Sequence, residues 1–347
     1  MEINKRKIGL DHPPSIVAEM SGNHNQSLDR SLQIVDAAKS SGAHLLKLQT
    51  YTPDTITLDV NEGEFVISDP ESLWKNRSLY SLYKEACTPW EWHKPIMNRA
   101  REKGMVCFSS VFDESSVDFL EDLEVPAYKI ASQECVHLPL IRKVASTGKP
   151  IVMSTGMATL SEIDEAVNMI RKTGSSEILL MKCTSNYPAN PENSNVLTIP
   201  YLKKAFECEV GLSDHTPGIG AAVAAVAHGA TMIEKHFTLS RADGGVDSAF
   251  SLEPQEMSRL VEETKRAWQS LGDVFFGPTE AEMASLSGRR SLYISQDMKS
   301  GEQLNLDNMR VIRPNKGLPP KYHDVVLGRK VNKDITKGTP ISWDLIS

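Results

Sequence analysis

The 347 residues include five cysteines (Cys87, Cys107, Cys135, Cys183, Cys208), an odd number with no CxxC pair. This spacing argues against a disulfide frame and a zinc site, and fits reduced thiols used as small apolar fillers. No stretch approaches the roughly 18 apolar residues that a membrane-spanning helix needs, so no membrane partner is expected. The opening residues MEINKRKIGLDHPP contain no apolar core of signal-peptide length, which points to the cytoplasm. Basic runs are no longer than RKVNK and the net charge is -7, so a nucleic-acid surface is not expected. A GxGxxG turn after the first strand, the usual mark of a doubly wound dinucleotide fold, is missing. What remains, 40% hydrophobic and 24% charged, is the composition of an ordinary globular protein.

What is present is a rhythm of short apolar runs and amphipathic segments. Ser15 to Ala18 reads as a strand ending in Glu19-Met20-Ser21. Ser27 can cap a helix whose apolar face is Leu28, Leu32, Val35 and Ala38, and Gly42 stops it. His44 to Leu48 is a second strand, giving a strand–helix–strand unit and therefore a parallel sheet. Further strands are expected at Met105–Phe108, Ala127–Ile130, Pro150–Met153, Ile178–Lys182, Val210–Leu212 and Met232–His236, most of them followed by a helix. The helix before Met105 is expected over Ile96–Lys103. Eight such units over about 270 residues match a (β/α)₈ TIM barrel. Residues 51–90 interrupt the rhythm with Pro53, Pro70 and Pro89 and with Phe65, Trp74, Tyr80, Tyr83 and Trp90. An insertion of that length after a barrel strand is either a lid over the site or a decoration on the barrel's side.

The barrel is expected to span residues 1–276. Residues 277–288 (GPTEAEMASLSG) read as a polar linker, and 289–347 as a small, mostly β domain of short apolar runs between Gly, Pro and Asp turns.

Active sites of such barrels lie at the carboxyl ends of the strands. Two consecutive units place a histidine there, His215 in GLSDHT and His236 in EKHFTLSR, and two imidazoles on adjacent strands can share a divalent metal. The same rim is expected to hold Glu19, Lys47, Gln49, Ser110, Lys129, Ser132, Glu134, Ser154, Ser185, Tyr187, Ser213 and Asp247. Two lysines among hydroxyl groups suit an anionic phosphate and carboxylate, and the carboxylates suit polyol hydroxyls and proton transfer.

The segments AEMSGNHNQSLD, LKLQTYTPD, YKIAS, MSTGM, GLSDHT and EKHFTLSR resemble the sialic acid synthase family, whose members condense phosphoenolpyruvate with an amino sugar. The resemblance covers essentially the whole chain, and residues 289–347 resemble that family's antifreeze-like (SAF) domain. TPWEWH, SGNHNQS, LKLQTYTPDTIT and GGVDSAFSLEP are most similar to the pseudaminic acid synthase branch. Neuraminic and legionaminic acid synthases are the neighbouring alternatives.

Matched motif by motif, the resemblance implies that Lys47, Ser110, Lys129, Ser132, Ser154, Tyr187 and Ser213 hold phosphoenolpyruvate. It implies that His215 and His236 bind a divalent ion, Mn²⁺ in the first place and Co²⁺ or Mg²⁺ otherwise. Glu19, Gln49, Glu134 and Asp247 would face the sugar, with Glu134 as the base. Arg313 in RVIRP would reach from the SAF domain into the partner barrel of a homodimer. Where neuraminic acid synthases carry Asn two residues before the tyrosine, this chain has Ser185, with Asn186 beside it. Two rivals lie outside this chemistry. A Schiff-base aldolase would use Lys47 or Lys129 covalently, and a carbohydrate-binding protein would leave the rim without a task.

Overall fold

The structure is a computed structural model that describes every residue except Ser176. Its eight parallel strands form one closed barrel: β1 (Ser15–Glu19), β2 (Leu45–Thr50), β3 (Val106–Val111), β4 (Tyr128–Ile130), β5 (Ile151–Ser154), β6 (Ile178–Cys183), β7 (Glu209–Ser213) and β8 (Met232–His236). They pair in chain order, and β8 closes on β1 with Met232 opposite Ser15 and His236 opposite Glu19. The helices that follow are α1 (Leu28–Ser40), α2 (Trp90–Glu102), α3 (Glu114–Asp122), α4 (Leu138–Ala145), α5 (Leu160–Lys172), α6 (Thr198–Phe206), α7 (Gly220–Ala227) and α8 (Pro254–Leu271).

Local signals set these elements. Ser27 caps α1 by accepting from Arg30 N, and Ile34, Val35 and Ala38 form its buried face. Thr159 and Glu162 make a reciprocal capping box on α5, and Glu253 with Glu256 does the same for α8. Helix α2 begins at Trp90 rather than Ile96. It runs through Pro95, which lies in the helix although it has no N–H to donate. The buried face His93, Ile96, Met97 and Ala100 holds it against the barrel.

Alternation along the strands divides the core in two. Ile16, Leu46, Leu48, Cys107, Ile130, Met153, Leu180 and Ile233 point outward and pack with the helices. Val17, Leu45, Val106, Phe108, Ala127, Val152, Leu179, Met181 and Met232 pack together in the second core, inside the barrel. Ile3 and Ile8 join that inner cluster from the hairpin Glu2–Ile3/Arg6–Lys7, so the amino end of the barrel is filled with apolar side chains. Gly211 lies in this interior, where a Cβ would meet Met232 O and the Leu179 and Met181 side chains.

The chain forms two compact units, Met1–Gly272 and Asp273–Ser347. The second contains the antiparallel pair β9 (Ser291–Ile294) and β10 (Met309–Ile312), with Leu292 opposite Val311. Leu292, Ile294, Met298, Leu304, Val326, Val331 and Ile341 are its core. Glu280–Gly288 is a 3₁₀ stretch, and Arg313 is exposed directly after β10. Among the described residues no helix is long and apolar enough to cross a membrane.

Candidate active site

The inward positions that are apolar at the amino end become polar at the carboxyl end. Strand register does most of this, and the loops that follow add Ser132, Tyr187 and His215. The register sets Glu19 beside Lys47, Gln49 beside Ser110, Ser110 beside Lys129, and Ser213 beside Glu234. Ten of the expected site residues line one small cavity there: Lys47, Gln49, Ser110, Lys129, Ser132, Ser154, Tyr187, Ser213, His215 and His236. Cys183 and Glu234 line it too, so one cysteine expected to be an apolar filler stands in a polar site. All five cysteines are free.

The centre of the cavity is ionic. Lys47 Nζ lies 2.7 Å from Glu234 Oε1 and 3.2 Å from Glu19 Oε2. Lys129 Nζ lies 3.0 Å from both Glu234 oxygens, and Ser213 Oγ donates to Glu234 Oε1 at 3.2 Å. Gln49 Nε2 donates to Glu19 Oε1 at 2.8 Å and to Ser21 Oγ at 3.1 Å. Glu234 thus joins both lysines, and the sequence reading did not single it out. The signal was present, because Glu234 is two residues before His236 and so shares its face of the strand.

Burial and pairing set the charges. Burial alone pulls Lys47 down, but Glu19 and Glu234 outweigh it and hold its pKa above the usual lysine value. At Lys129 burial dominates and lowers the pKa, with Glu234 opposing. Burial would raise Glu234, yet Lys129 and Lys47 hold it well below the carboxylate range. Burial pushes Glu19 up to about 7 against the pull of Lys47. It also pushes Glu134 up to about 7. Glu134 sits on the 3₁₀ turn Gln133–Val136 after β4, and its Oε2 is buried without a hydrogen-bond partner. Ser110 Oγ and Ser154 Oγ are also buried without one.

The other side of the cavity is aromatic. Tyr187 packs 4.4 Å from His215, and Phe250 4.8 Å from His236. Trp74 comes from the insertion between β2 and α2. It packs 6.0 Å from Tyr187 and 6.4 Å from Phe250, and its Nε1 donates to Val246 O at 2.9 Å. The insertion therefore reaches the carboxyl-end rim, as a lid does, and is not confined to the barrel's side. Asp247, in the next loop, accepts from Gly22 N at 3.3 Å and from Ser21 Oγ. Gly156 packs against Ser132 and Ser185, and a Cβ there would collide with both hydroxyls.

The two histidines fit a metal. Their rings are 5.3 Å apart. His215 Nδ1 donates to Thr184 O at 2.9 Å, which fixes the tautomer and leaves the Nε2 lone pair free. Burial drives the His236 pKa well below its usual value, so the ring is neutral, and its Nδ1 is buried without a partner. Asp247 Oδ2 lies 4.0 Å from that nitrogen. Among the described residues no group of three or more His, Cys, Asp or Glu that could hold a metal ion is present, so the two imidazoles are the donors this chain offers there.

Comparisons with known proteins give the family. Residues 34–275 match the NeuB family and residues 289–347 match the SAF domain. The chain belongs to the NeuB family. It is 41% identical to the pseudaminic acid synthase of Helicobacter pylori, over 96% of this chain and 97% of that protein. It is 42% identical to a pseudaminic acid synthase of Campylobacter jejuni, over 93% and 94% of the two chains. The crystal structure of an N-acetylneuraminic acid (sialic acid) synthetase from Leptospira borgpetersenii, in complex with citrate, superposes with a TM-score of 0.72 at 31% identity. That alignment covers 82% of this chain and 94% of the other.

Proposed function

We propose that this NeuB-family enzyme condenses phosphoenolpyruvate with 2,4-diacetamido-2,4,6-trideoxy-L-altrose and water, giving pseudaminic acid and phosphate. The observation that carries the reading is the cavity itself, where two buried lysines and unpartnered serine hydroxyls lie beside a histidine pair. The branch follows from identities of 41% and 42% to pseudaminic acid synthases, against 31% to the N-acetylneuraminic acid synthetase. Neuraminic or legionaminic acid synthesis is the alternative, and differs only in the sugar.

Lys47 and Lys129 bind the phosphate and carboxylate of phosphoenolpyruvate, with Ser110, Ser132, Ser154, Tyr187 and Ser213 donating to its oxygens. Glu19, Gln49 and Asp247 orient the sugar hydroxyls. The methylene carbon of phosphoenolpyruvate forms a bond to the aldehyde carbon, whose oxygen takes up a proton. The resulting cationic C2 accepts water, and Glu134, half ionised near neutral pH, takes the water's proton. The C2–O bond to phosphate then breaks as the new C2 hydroxyl gives its proton to the departing phosphate, leaving a 2-keto acid, while the proton on Glu134 replaces the one taken up at the aldehyde oxygen. The lysines stabilise the anionic groups throughout. His215 and His236 would hold a divalent ion, Mn²⁺ in the first place and Co²⁺ or Mg²⁺ otherwise, which supplies Lewis-acid polarisation of the aldehyde when bound.

The protein works in the cytoplasm as a homodimer in which Arg313 completes the partner's sugar pocket by donating to hydroxyl or acyl oxygens. Mixing His215→Ala with Arg313→Ala protein under subunit exchange tests the shared site. Recovered activity supports it, and no recovery despite exchange rules it out.

The function itself is tested by measuring phosphate release from phosphoenolpyruvate against a panel of amino sugars. The reading expects the trideoxy altrose sugar to have the highest kcat/KM, chelator to abolish turnover, and Mn²⁺ to restore it. Preference for N-acetylmannosamine would move the protein to the neuraminic branch. Borohydride trapping of a lysine–sugar adduct would favour the aldolase reading instead.

A further inference from the structure

The site has two unlike sides. One is the ionic centre around Lys47, Lys129 and Glu234. The other is the wall of Tyr187, Phe250 and Trp74 beside the histidines. Tyr187 and Phe250 touch the histidine rings directly. Trp74 stands one layer further out, packed on both of them and half-buried. The functional reading above puts the sugar's aldehyde at the histidines, and on that reading its distal carbons lie along the Phe250 and Trp74 side of this wall.

We propose that Trp74 is a specificity-determining residue, and that its ring packs against the C6 methyl of the sugar and disfavours a hydroxymethyl there. This rests on the functional reading above. Trp74 has one polar atom, Nε1, and that atom already donates to Val246 O. Phe250 has no polar side-chain atom. A hydroxyl pressed against these two rings gives up its water and finds no partner on either ring, whereas a methyl gains apolar contact. An apolar wall of this kind separates compounds differing by one hydroxyl by about 100-fold at most. Trp74 comes from the insertion between β2 and α2, which reaches the rim from outside the eight-unit core. The barrel sets the chemistry, and the insertion selects the sugar.

The test compares kcat/KM for the trideoxy sugar and for the counterpart carrying a hydroxyl at C6, in wild type, Trp74→Ala and Trp74→Phe. In Trp74→Ala the preference for the methyl compound should shrink by about 10- to 100-fold. The loss should fall on the sugar's KM, and the KM for phosphoenolpyruvate should stay unchanged. Trp74→Phe removes the bond to Val246 and keeps a ring, so it should retain most of the preference. A purely structural role, anchoring the loop that carries Asp247, predicts something else: both substitutions would depress both sugars equally. An unchanged preference ratio in Trp74→Ala, with wild type active on the trideoxy sugar, overturns this inference alone. Wild-type inactivity on the trideoxy sugar overturns the functional reading, and this inference with it.

Discussion

Lys235 and Lys129 are both lysines in barrel strands, with side chains 0% and 2% exposed, yet their surroundings are opposite in kind. Lys235 points outward from β8. Its ammonium donates to Asp214 Oδ2 at 2.8 Å, Thr216 O at 2.6 Å and Gly218 O at 2.8 Å, so each N–H has an oxygen. Asp214 Oδ1 in turn accepts from Thr216 N. Lys129 points inward and shares one carboxylate with Lys47, and Ser110 Oγ, Ser154 Oγ and His236 Nδ1, which line the same cavity, are buried without partners, as is Glu134 Oε2 on the turn after β4. Buried polar groups are almost always paired, so a group of unpaired ones needs a reason. The first cluster is architecture, tying down the turn that carries His215. The second is where the ligand proposed above would supply the missing partners.

Substitutions can sharpen or break this contrast. The largest effect is expected at Glu134, which has an unpaired oxygen. Glu134→Gln should lower kcat by about 10²- to 10⁴-fold, the usual worth of a general base. Wild-type kcat should fall as pH drops below about 7, where Glu134 takes up its proton, and the glutamine variant should lack that limb. The sign for stability is the reverse. The folded-state pKa is raised from 4.5 to about 7, so between those values the native state holds a proton that the unfolded state has released. Glu134's contribution is therefore fully present below pH 4.5 and lost as pH rises through 7. Urea melts of wild type and Glu134→Gln across that window check it.

Lys235→Met leaves the Asp214 carboxylate buried without its counter-charge. It should cost about 3–5 kcal/mol of stability in denaturant titration. Loss of phosphoenolpyruvate affinity without loss of stability would break the contrast. Lys299 and Asp334 form an exposed pair in the second unit, 2.7 Å apart. Lys299→Ala should leave the melting temperature unchanged within error, because exposed pairs contribute little.

The barrel was legible because strand and helix periods alternate through the chain with caps such as Ser27 between them. The rim residues were legible because a strand's carboxyl end can be read from where its apolar run stops. Glu234 was not, since it sits inside the run Met232–His236 and its meaning depends on which face of the strand turns inward. That face is set by β7 and β1 on either side, through Ser213 opposite Glu234 and Glu19 opposite His236. The start of α2 was misplaced because Pro95 normally marks a helix boundary, and here packing of His93 and Ile96 overrode it. The reach of Trp74 to Tyr187 joins residues 113 positions apart in the numbering, and no local pattern reports such a contact.

The central claim is that the lysines beside the unpaired serines are the anion site, and that Lys235, whose ammonium has an oxygen for each N–H, is scaffold. Calorimetric titration of phosphoenolpyruvate into wild type and Lys129→Met tests it most directly. Losing one charge-assisted contact is worth roughly 1.5–3 kcal/mol, so Kd should rise by about 10- to 100-fold. The melting temperature should hold, because Glu234 keeps Lys47 as its partner. An unchanged Kd in a folded Lys129→Met protein would contradict the account.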